Sequence, residues 1–509
     1  MDSSLRRLSS LAQGAGIGLV GRFGGRLLNV VQTLIAARVL GPDLFGVYML
    51  GWTTFRLVEL IAPLGFDYGI IKFVHFPMLP NEDDVFARFL IWSLALILLL
   101  SSIFIALGYV FSPWLADMIF KKPELTIVFR LYTFAIPLTG ILGLFSAASR
   151  LTHDMRYSFA TQDLGQPLGS VILICGFYFL GLNLKLVVLS DVLSYLFSAM
   201  LACYFLWKLF PFAFHLDGSY LFPTREYLEF SIIASLSVLL STFAFWVDRL
   251  FVGYFLPSEE MGIYQAALQV SVVFAVILTA LNRILVPLFA SVYHERNFEA
   301  LEELFRVATK WAVYLGLPVA VFILLNSNVV LEILYGTPYS VGAGVLIVLL
   351  ASQLVNLFTG AVGPLLLMGG YQKILSILSA GVLVINTVLC VILIPIFGIM
   401  GGALSNAFAV AFFYLLLLFL VKRKIGIWPY DRRYFKGLLA TCAAVIPVLA
   451  IKEWLPTPPV IGILLQIIVL SFLYVLVLKL LQFDPEDHIL IDFFRRLIRL
   501  QPVSEGRSG

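Results

Sequence analysis

Long apolar runs separated by short polar breaks organise this chain from end to end. A helix needs about 20 mostly apolar residues to cross a bilayer, and such runs recur about fourteen times here. They fall near 14–38, 45–70, 88–112, 125–149, 158–181, 186–208, 228–253, 263–289, 307–328, 341–368, 374–395, 401–421, 437–454 and 460–481. The longest connections lie near 210–227, 290–306 and 422–436, and none is long enough for a soluble domain. The pattern predicts an all-α polytopic membrane protein, because only helices satisfy their own backbone within lipid.

The pattern also repeats. "RVLGPDLFGVY" (38–48) follows the first run and "YFLPSEEMGIY" (254–264) follows the seventh, a shift of 216 residues. Leu40/Leu256, Gly46/Gly262 and Tyr48/Tyr264 coincide, and Asp43 matches Glu259. A weaker echo links "LGLNLKLVVLSD" (180–191) to "IFGIMGGALSN" (396–406). A shift of six helices preserves orientation, so two parallel six-helix lobes are predicted about an axis along the membrane normal, with a substrate path between them. The expected division is a cytoplasmic segment 1–13, an N-lobe 14–209, a loop 210–227, a C-lobe 228–421, two extra helices over 422–481 and a cytoplasmic tail 482–509.

Polar residues inside the runs form rows. Residues at i, i+3, i+4 and i+7 share one helix face. The first run gives Arg22, Arg26, Asn29 and Thr33, and the second gives Trp52, Arg56, Glu59 and Pro63. The seventh gives Ser237, Ser241 and Asp248, the eighth Gln265, Gln269, Thr279 and Arg283, and the tenth Ser352, Asn356, Thr359 and Gly363. A charged side chain at the bilayer centre costs about 2.5–3.5 kcal/mol on insertion scales, so these rows are expected to face a water-filled cavity. Arg26, Arg56 and Glu59 fall near mid-depth, and Arg22 lies about 6 Å closer to the cytoplasm than Arg26. The candidate cavity residues are Arg22, Arg26, Asn29, Arg56, Glu59, Asp248, Gln265, Gln269, Arg283 and Asn356. A net positive cavity suits an anion, since guanidinium forks bind phosphate oxygens in pairs. Each position also has a plainer explanation. Arg22 and Arg283 could snorkel to an interface, and Arg56 could pair only with Glu59. Asp67, Asp163 and Asp191 sit at helix ends and are expected at the interface.

Charge sets the orientation. Of 34 Lys and Arg in the chain, the segments inside under a cytoplasmic N-terminus hold 22 and those outside hold 5. That asymmetry predicts an even number of spans with both termini cytoplasmic. "VKRKIGIWPYDRRYFK" (421–436) reads most simply as part of it.

Composition agrees: 61% of residues are hydrophobic and 13% charged, with a mean hydropathy of +0.99. The net charge of +4 gives no reason to expect nucleic acid. Cys175, Cys203, Cys390 and Cys442 are scattered through apolar runs, with no spacing for a metal or disulfide framework. No cofactor is expected.

"AARVLGPDLFGVY", "LGFDYGIIKF" (64–73) and the stretch 368–409, with its Lys, Asn, Pro and Gly-rich turn, resemble the prokaryotic polysaccharide flippases (Wzx type) of the MOP exporter superfamily. Lipid II flippases and MATE multidrug exporters are relatives within it. The resemblance spans the whole chain. It implies a transporter of the prokaryotic cytoplasmic (inner) membrane that moves polyprenyl-pyrophosphate-linked oligosaccharide from the inner to the outer leaflet by alternating access. The expected partners are that lipid-linked substrate, membrane lipids, a coupling ion (H⁺ or Na⁺) and glycan polymerase or ligase proteins. The alternatives are a lipid II flippase, differing in cargo, and a MATE-like cation exporter, which needs a carboxylate-dominated cavity that two first-run arginines oppose. A membrane glycosyltransferase, polymerase or ligase would place catalytic residues on a sizeable outer loop, and no such loop is present, so no enzyme is expected.

Overall fold

The computed structural model describes residues 2–74, 82–152, 154–211, 224–272, 278, 288–293, 295–454, 459–482 and 484–487, with side chains left out at 2–23, 82–85 and 452–460. Every regular element among them is helical. Among the described residues, eleven helices are long and apolar enough to cross a membrane. The other three of the fourteen predicted runs have local explanations. The first two runs fall within one element, α1 (Asp2–Glu59), which breaks at Gly41 before Pro42. The fifth is interrupted by wide helical turns over Phe159–Gly165. The eighth lies mostly outside the described residues, which show its start and single positions beyond it. At Gly41 φ is +69°, a backbone state that glycine adopts without a Cβ clash.

The chain divides into two compact units. The first comprises Met1–Ser271, Leu331–Leu349 and Ser376–Ala409, and the second Val272–Val330, Leu350–Leu375 and Val410–Gly509. In the first unit, α1 is followed by α2 (Phe66–Phe73), α3 (Glu82–Trp114), α4 (Leu125–Thr133), α5 (Ala135–Ser149), α6 (Met155–Ser158), α7 (Gln166–Tyr178), α8 (Leu184–Leu209), α9 (Arg225–Phe255) and α10 (Ser258–Ser271). The second unit contains α11 (Phe298–Leu325), α17 (Tyr434–Trp454) and α18 (Pro459–Leu480). Between α11 and α17 the chain passes through α12 (Ser327–Tyr335), α13 (Ala343–Thr359), α14 (Val362–Met368), α15 (Gln372–Phe397) and α16 (Ile399–Lys424).

The repeat has a direct structural counterpart. Within the first unit α1 packs most extensively on α10, and the signature glycines form the crossing. A Cβ on Gly46 would sit 1.8 Å from the Ser258 carbonyl oxygen, and one on Gly262 would sit 2.1 Å from that of Pro42. Pro42 and Ser258 are themselves 216 residues apart. Each signature segment therefore meets the other through equivalent atoms, the reciprocal contact that a two-fold axis generates. Both segments lie together at one end of the helices, as a parallel repeat requires. Nearby, the Lys122 ammonium donates to the carbonyls of Gly253 (2.6 Å) and Leu256 (2.9 Å), closing the C-terminal end of α9. Burial lowers the pKa of Lys122 below its ordinary value, and the Asp43 charge opposes that shift.

The second unit is tied by charge. Lys310 on α11, 2% exposed, pairs with Asp484 (3.3 Å), Glu486 (2.7 Å) and Asp487 (2.8 Å). Lys436 reaches Asp484 (2.7 Å), and Arg433 reaches Glu486 (2.9 Å), Glu303 and Asp431. Arg433 and Lys436, read from the sequence simply as orienting charge, are thus engaged by carboxylates just beyond α18. Burial alone would raise Asp484 and Glu486. Hydrogen bonds outweigh it, from Lys436 and Lys310 at Asp484 and from Lys310 at Glu486, and hold both below their ordinary values of 3.8 and 4.5. Carboxyls held below their unfolded pKa add stability above the ordinary carboxylate range, and lose it as pH falls through the depressed folded values. The melting temperature in detergent is therefore expected to drop on acidification from about pH 5 downward. Lys310→Met should lower it at neutral pH and flatten that slope. An unchanged slope in Lys310→Met would show that these carboxylates do not carry the dependence.

Candidate functional site

The second limb of α1 and the middle of α9 border an open cavity of ≈ 390 Å³ lined by Arg56, Leu60, Ser241, Thr242, Phe245 and Trp246. Their spacing puts them there: Arg56 lies in the last turn of α1 and Leu60 immediately follows that helix, while Ser241, Thr242 and Phe245 share a face of α9. Arg56 pairs with Glu59 and lies 5.5 Å from the centre of the Trp52 ring. Glu59 is 8% exposed, and its Oε2 has no hydrogen-bond partner among the described residues. Trp52 stacks on Trp246 with ring centres 5.6 Å apart and planes inclined by 25°. Arg249 lies over the other side of the stack, 4.2 Å from the Trp246 ring.

Beyond Glu59 the helix unwinds over residues 60–65 before α2 resumes it. The Ser235 hydroxyl on α9 donates to the freed Leu60 carbonyl at 3.1 Å. Non-helical backbone at membrane depth is tolerated where protein or water satisfies it, and here the break borders the cavity. The arrangement offers a guanidinium, two hydroxyls and an aromatic face. That set fits an anionic group carrying a sugar-like, hydroxylated body.

The remaining sequence candidates are dispersed. Arg22 lies in α1, but its side chain is outside the described residues, as is all of Arg283. Arg26 and Asn29 are exposed and do not line this cavity. Thr33 and Gln269 approach at 3.5 Å. Gln265 is buried, with its Oε1 lacking a hydrogen-bond partner among the described residues. Asn356 belongs to the second unit, where it contacts Gln353 (3.4 Å) and Tyr414.

Asp191 requires a correction. It is not at a helix end: it lies about two turns inside α8 and is 1% exposed. It accepts hydrogen bonds from Gln32, from Tyr48 (2.9 Å) and Tyr132 (2.7 Å), and from Ser170 (2.8 Å). Its burial comes from α1, α4 and α7, which position in the sequence does not reveal. The other repeat builds a counterpart, where Asp248 accepts from Tyr264 and from Asn406. Tyr48 and Tyr264 are 216 apart, as are Gln32 and Asp248, while Asp191 and Asn406 are 215 apart. Each repeat thus holds an equivalent tyrosine (Tyr48 or Tyr264), a carboxylate and a carboxamide, with the last two exchanged between helices, and the first repeat adds Tyr132 and Ser170. Asp191→Asn leaves buried hydroxyls facing an amide, and Gln32→Asp sets two carboxylates together. Each is expected to cost about 3 kcal/mol. The double substitution Gln32→Asp/Asp191→Asn reproduces the other repeat's chemistry, so melting temperature should recover toward wild type. Additive losses would contradict a shared centre.

Comparison with known proteins follows the same lines. The polysaccharide biosynthesis protein family matches residues 11–293, more than half of the chain, and the MatE family matches 234–392. A Shigella flexneri protein provisionally described as an O-antigen transporter is 22% identical over 416 residues, covering 78% of this chain and 96% of that one. A Haloferax volcanii protein, provisionally described as the low-salt glycan biosynthesis flippase Agl15, is 24% identical over 189 residues, spanning 36% of this chain and 39% of that relative. Among solved structures, the lipid II flippase MurJ in an inward closed conformation superposes with a TM-score of 0.74 at 14% identity, over 94% of this chain and 99% of that one. With a multi-pass helical fold of that type and a family match over more than half of its length, this chain belongs to the polysaccharide biosynthesis protein family.

Proposed function

We propose that this protein is a flippase for lipid-linked oligosaccharide, and that the Arg56 cavity receives the anionic diphosphate headgroup. The observation that carries the reading is a guanidinium at membrane depth facing a cavity that also presents Ser241, Thr242 and Trp246. A diphosphate needs fixed, charged donors, and an arginine fork supplies two at once. The hydroxyls and the indole suit the first sugar, and the prenyl tail stays in the bilayer. Arg22, Arg26 and Arg283 would extend the positive path, with Asn29, Gln265, Gln269 and Asn356 as neutral donors and acceptors. Asp248 and Glu59 would balance charge.

In this reading both termini lie in the cytoplasm and the membrane is the prokaryotic inner one. The two repeats, 14–209 and 228–421, rock about their shared axis to expose the cavity to each side in turn. The names of the Shigella and Haloferax relatives point to the same cargo class. Proteoliposomes supply the test. A fluorescent polyprenyl-diphosphate saccharide should become accessible to an external quencher only when the protein is present, and ethidium should not be exported. Ethidium export without saccharide flipping would favour the cation-exporter reading instead.

A further inference from the structure

One arginine has no role in the cavity just described. Arg249 lies on α9, three residues beyond Trp246 and eight beyond Ser241, about 12 Å along the helix from Ser241. It therefore sits on the side of the Trp52–Trp246 stack away from Arg56, toward the end where Gly46 and Gly262 cross. It is 7% exposed, and its Nε is buried without a hydrogen-bond partner among the described residues. Its sequence neighbour Asp248 receives the Tyr264 hydroxyl. What Arg249 does face is the Trp246 ring at 4.2 Å. The order along the helices is thus guanidinium, indole, indole, guanidinium: Arg56 on Trp52, Trp52 on Trp246, Arg249 on Trp246.

An arginine resting on an aromatic face keeps its donors directed in the ring plane, ready for a phosphate. The two rings lie stacked between the arginines, and they belong to different repeats, so a relative movement of the repeats would part them. We propose that Arg249 is a second, exit-side anion site, which takes the diphosphate from Arg56 when the Trp52–Trp246 stack opens. The proposal rests on the flippase reading and adds a station to it. A diphosphate held only at Arg56 would have to leave fixed donors for none, whereas a second guanidinium beyond the gate gives it a partner on the far side.

The experiment uses the full chain in lipid nanodiscs and proteoliposomes, with farnesyl diphosphate as the binding probe and a fluorescent polyprenyl-diphosphate saccharide as cargo. Arg249→Gln should leave farnesyl diphosphate affinity within about threefold of wild type and slow translocation at least tenfold, whereas Arg56→Ala should weaken the binding itself by tenfold or more. Arg249→Lys keeps the charge without the fork and should fall between. If Arg249 only offsets Asp248, the neutral pair Asp248→Asn/Arg249→Gln should restore the rate; the proposal expects it to stay slow. That pair also carries the test if Arg249→Gln alone fails to fold. Wild-type translocation in Arg249→Gln, or its restoration in the pair, overturns the exit site. So does a tenfold loss of binding in Arg249→Gln, which would place Arg249 in the first site. Wild-type binding by Arg56→Ala would instead bring down the flippase reading, independently of Arg249.

Discussion

Arg56→Ala is expected to cut translocation of a lipid-linked saccharide by roughly ten- to a hundredfold, the equivalent of one charge-assisted contact. The substitution has a second effect. Arg56 is the partner of Glu59, which is 8% exposed with its Oε2 already lacking a hydrogen bond among the described residues. Removing the guanidinium leaves a buried carboxylate uncompensated, a loss of about 3–5 kcal/mol, so yield should fall as well. The two effects separate in the double variant. Arg56→Ala/Glu59→Ala deletes both charges and should regain yield while remaining inactive. Transport measured per inserted protein distinguishes them, and recovery of transport in the double variant would assign Arg56 to folding alone.

The largest effect on stability is expected at the glycine crossing. Gly46→Val places its Cβ, on the present backbone, 1.8 Å from the Ser258 carbonyl oxygen, and Gly262→Val faces the Pro42 oxygen at 2.1 Å. Both obstacles are backbone, so the helices must separate, at a cost of about 1–3 kcal/mol or more each. Gly143, with nothing within 4 Å of an added Cβ, serves as the control. Gly143→Val should melt near wild type, whereas Gly46→Val and Gly262→Val should melt well below it. Because the two glycines share one contact, the double variant should be less destabilised than the sum. Full additivity would place them in separate contacts.

The repeat was legible in the sequence because Leu, Gly and Tyr recur at fixed offsets in two segments; that the two glycines cross each other was not read from it, because it depends on how the segments pack. The spans were legible too, since bilayer thickness dictates run length. Arg56 and Glu59 were found together because a pair at i, i+3 must share a face. Asp191 was not, because its burial depends on Tyr48, Tyr132 and Ser170, brought from three other helices. The signal that could have placed it was the echo of "LSD" at 189–191 in "LSN" at 404–406, together with the shift from Gln32 to Asp248. Arg249 was passed over because adjacency to Asp248 argues against a pair; the two charges do interact electrostatically, and adjacency says nothing about Trp246. The carboxylates at 484–487 lay in a stretch read only as tail, and contact with Lys310 is long-range.

The central claim is that the Arg56 cavity holds a diphosphate-linked glycolipid. Native mass spectrometry of protein extracted in mild detergent from glycan-producing prokaryotic cells tests it most directly. The account predicts a retained polyprenyl-diphosphate saccharide on the wild-type protein that is absent from Arg56→Ala/Glu59→Ala. Retention of the same glycolipid by that variant, at wild-type occupancy, would contradict it.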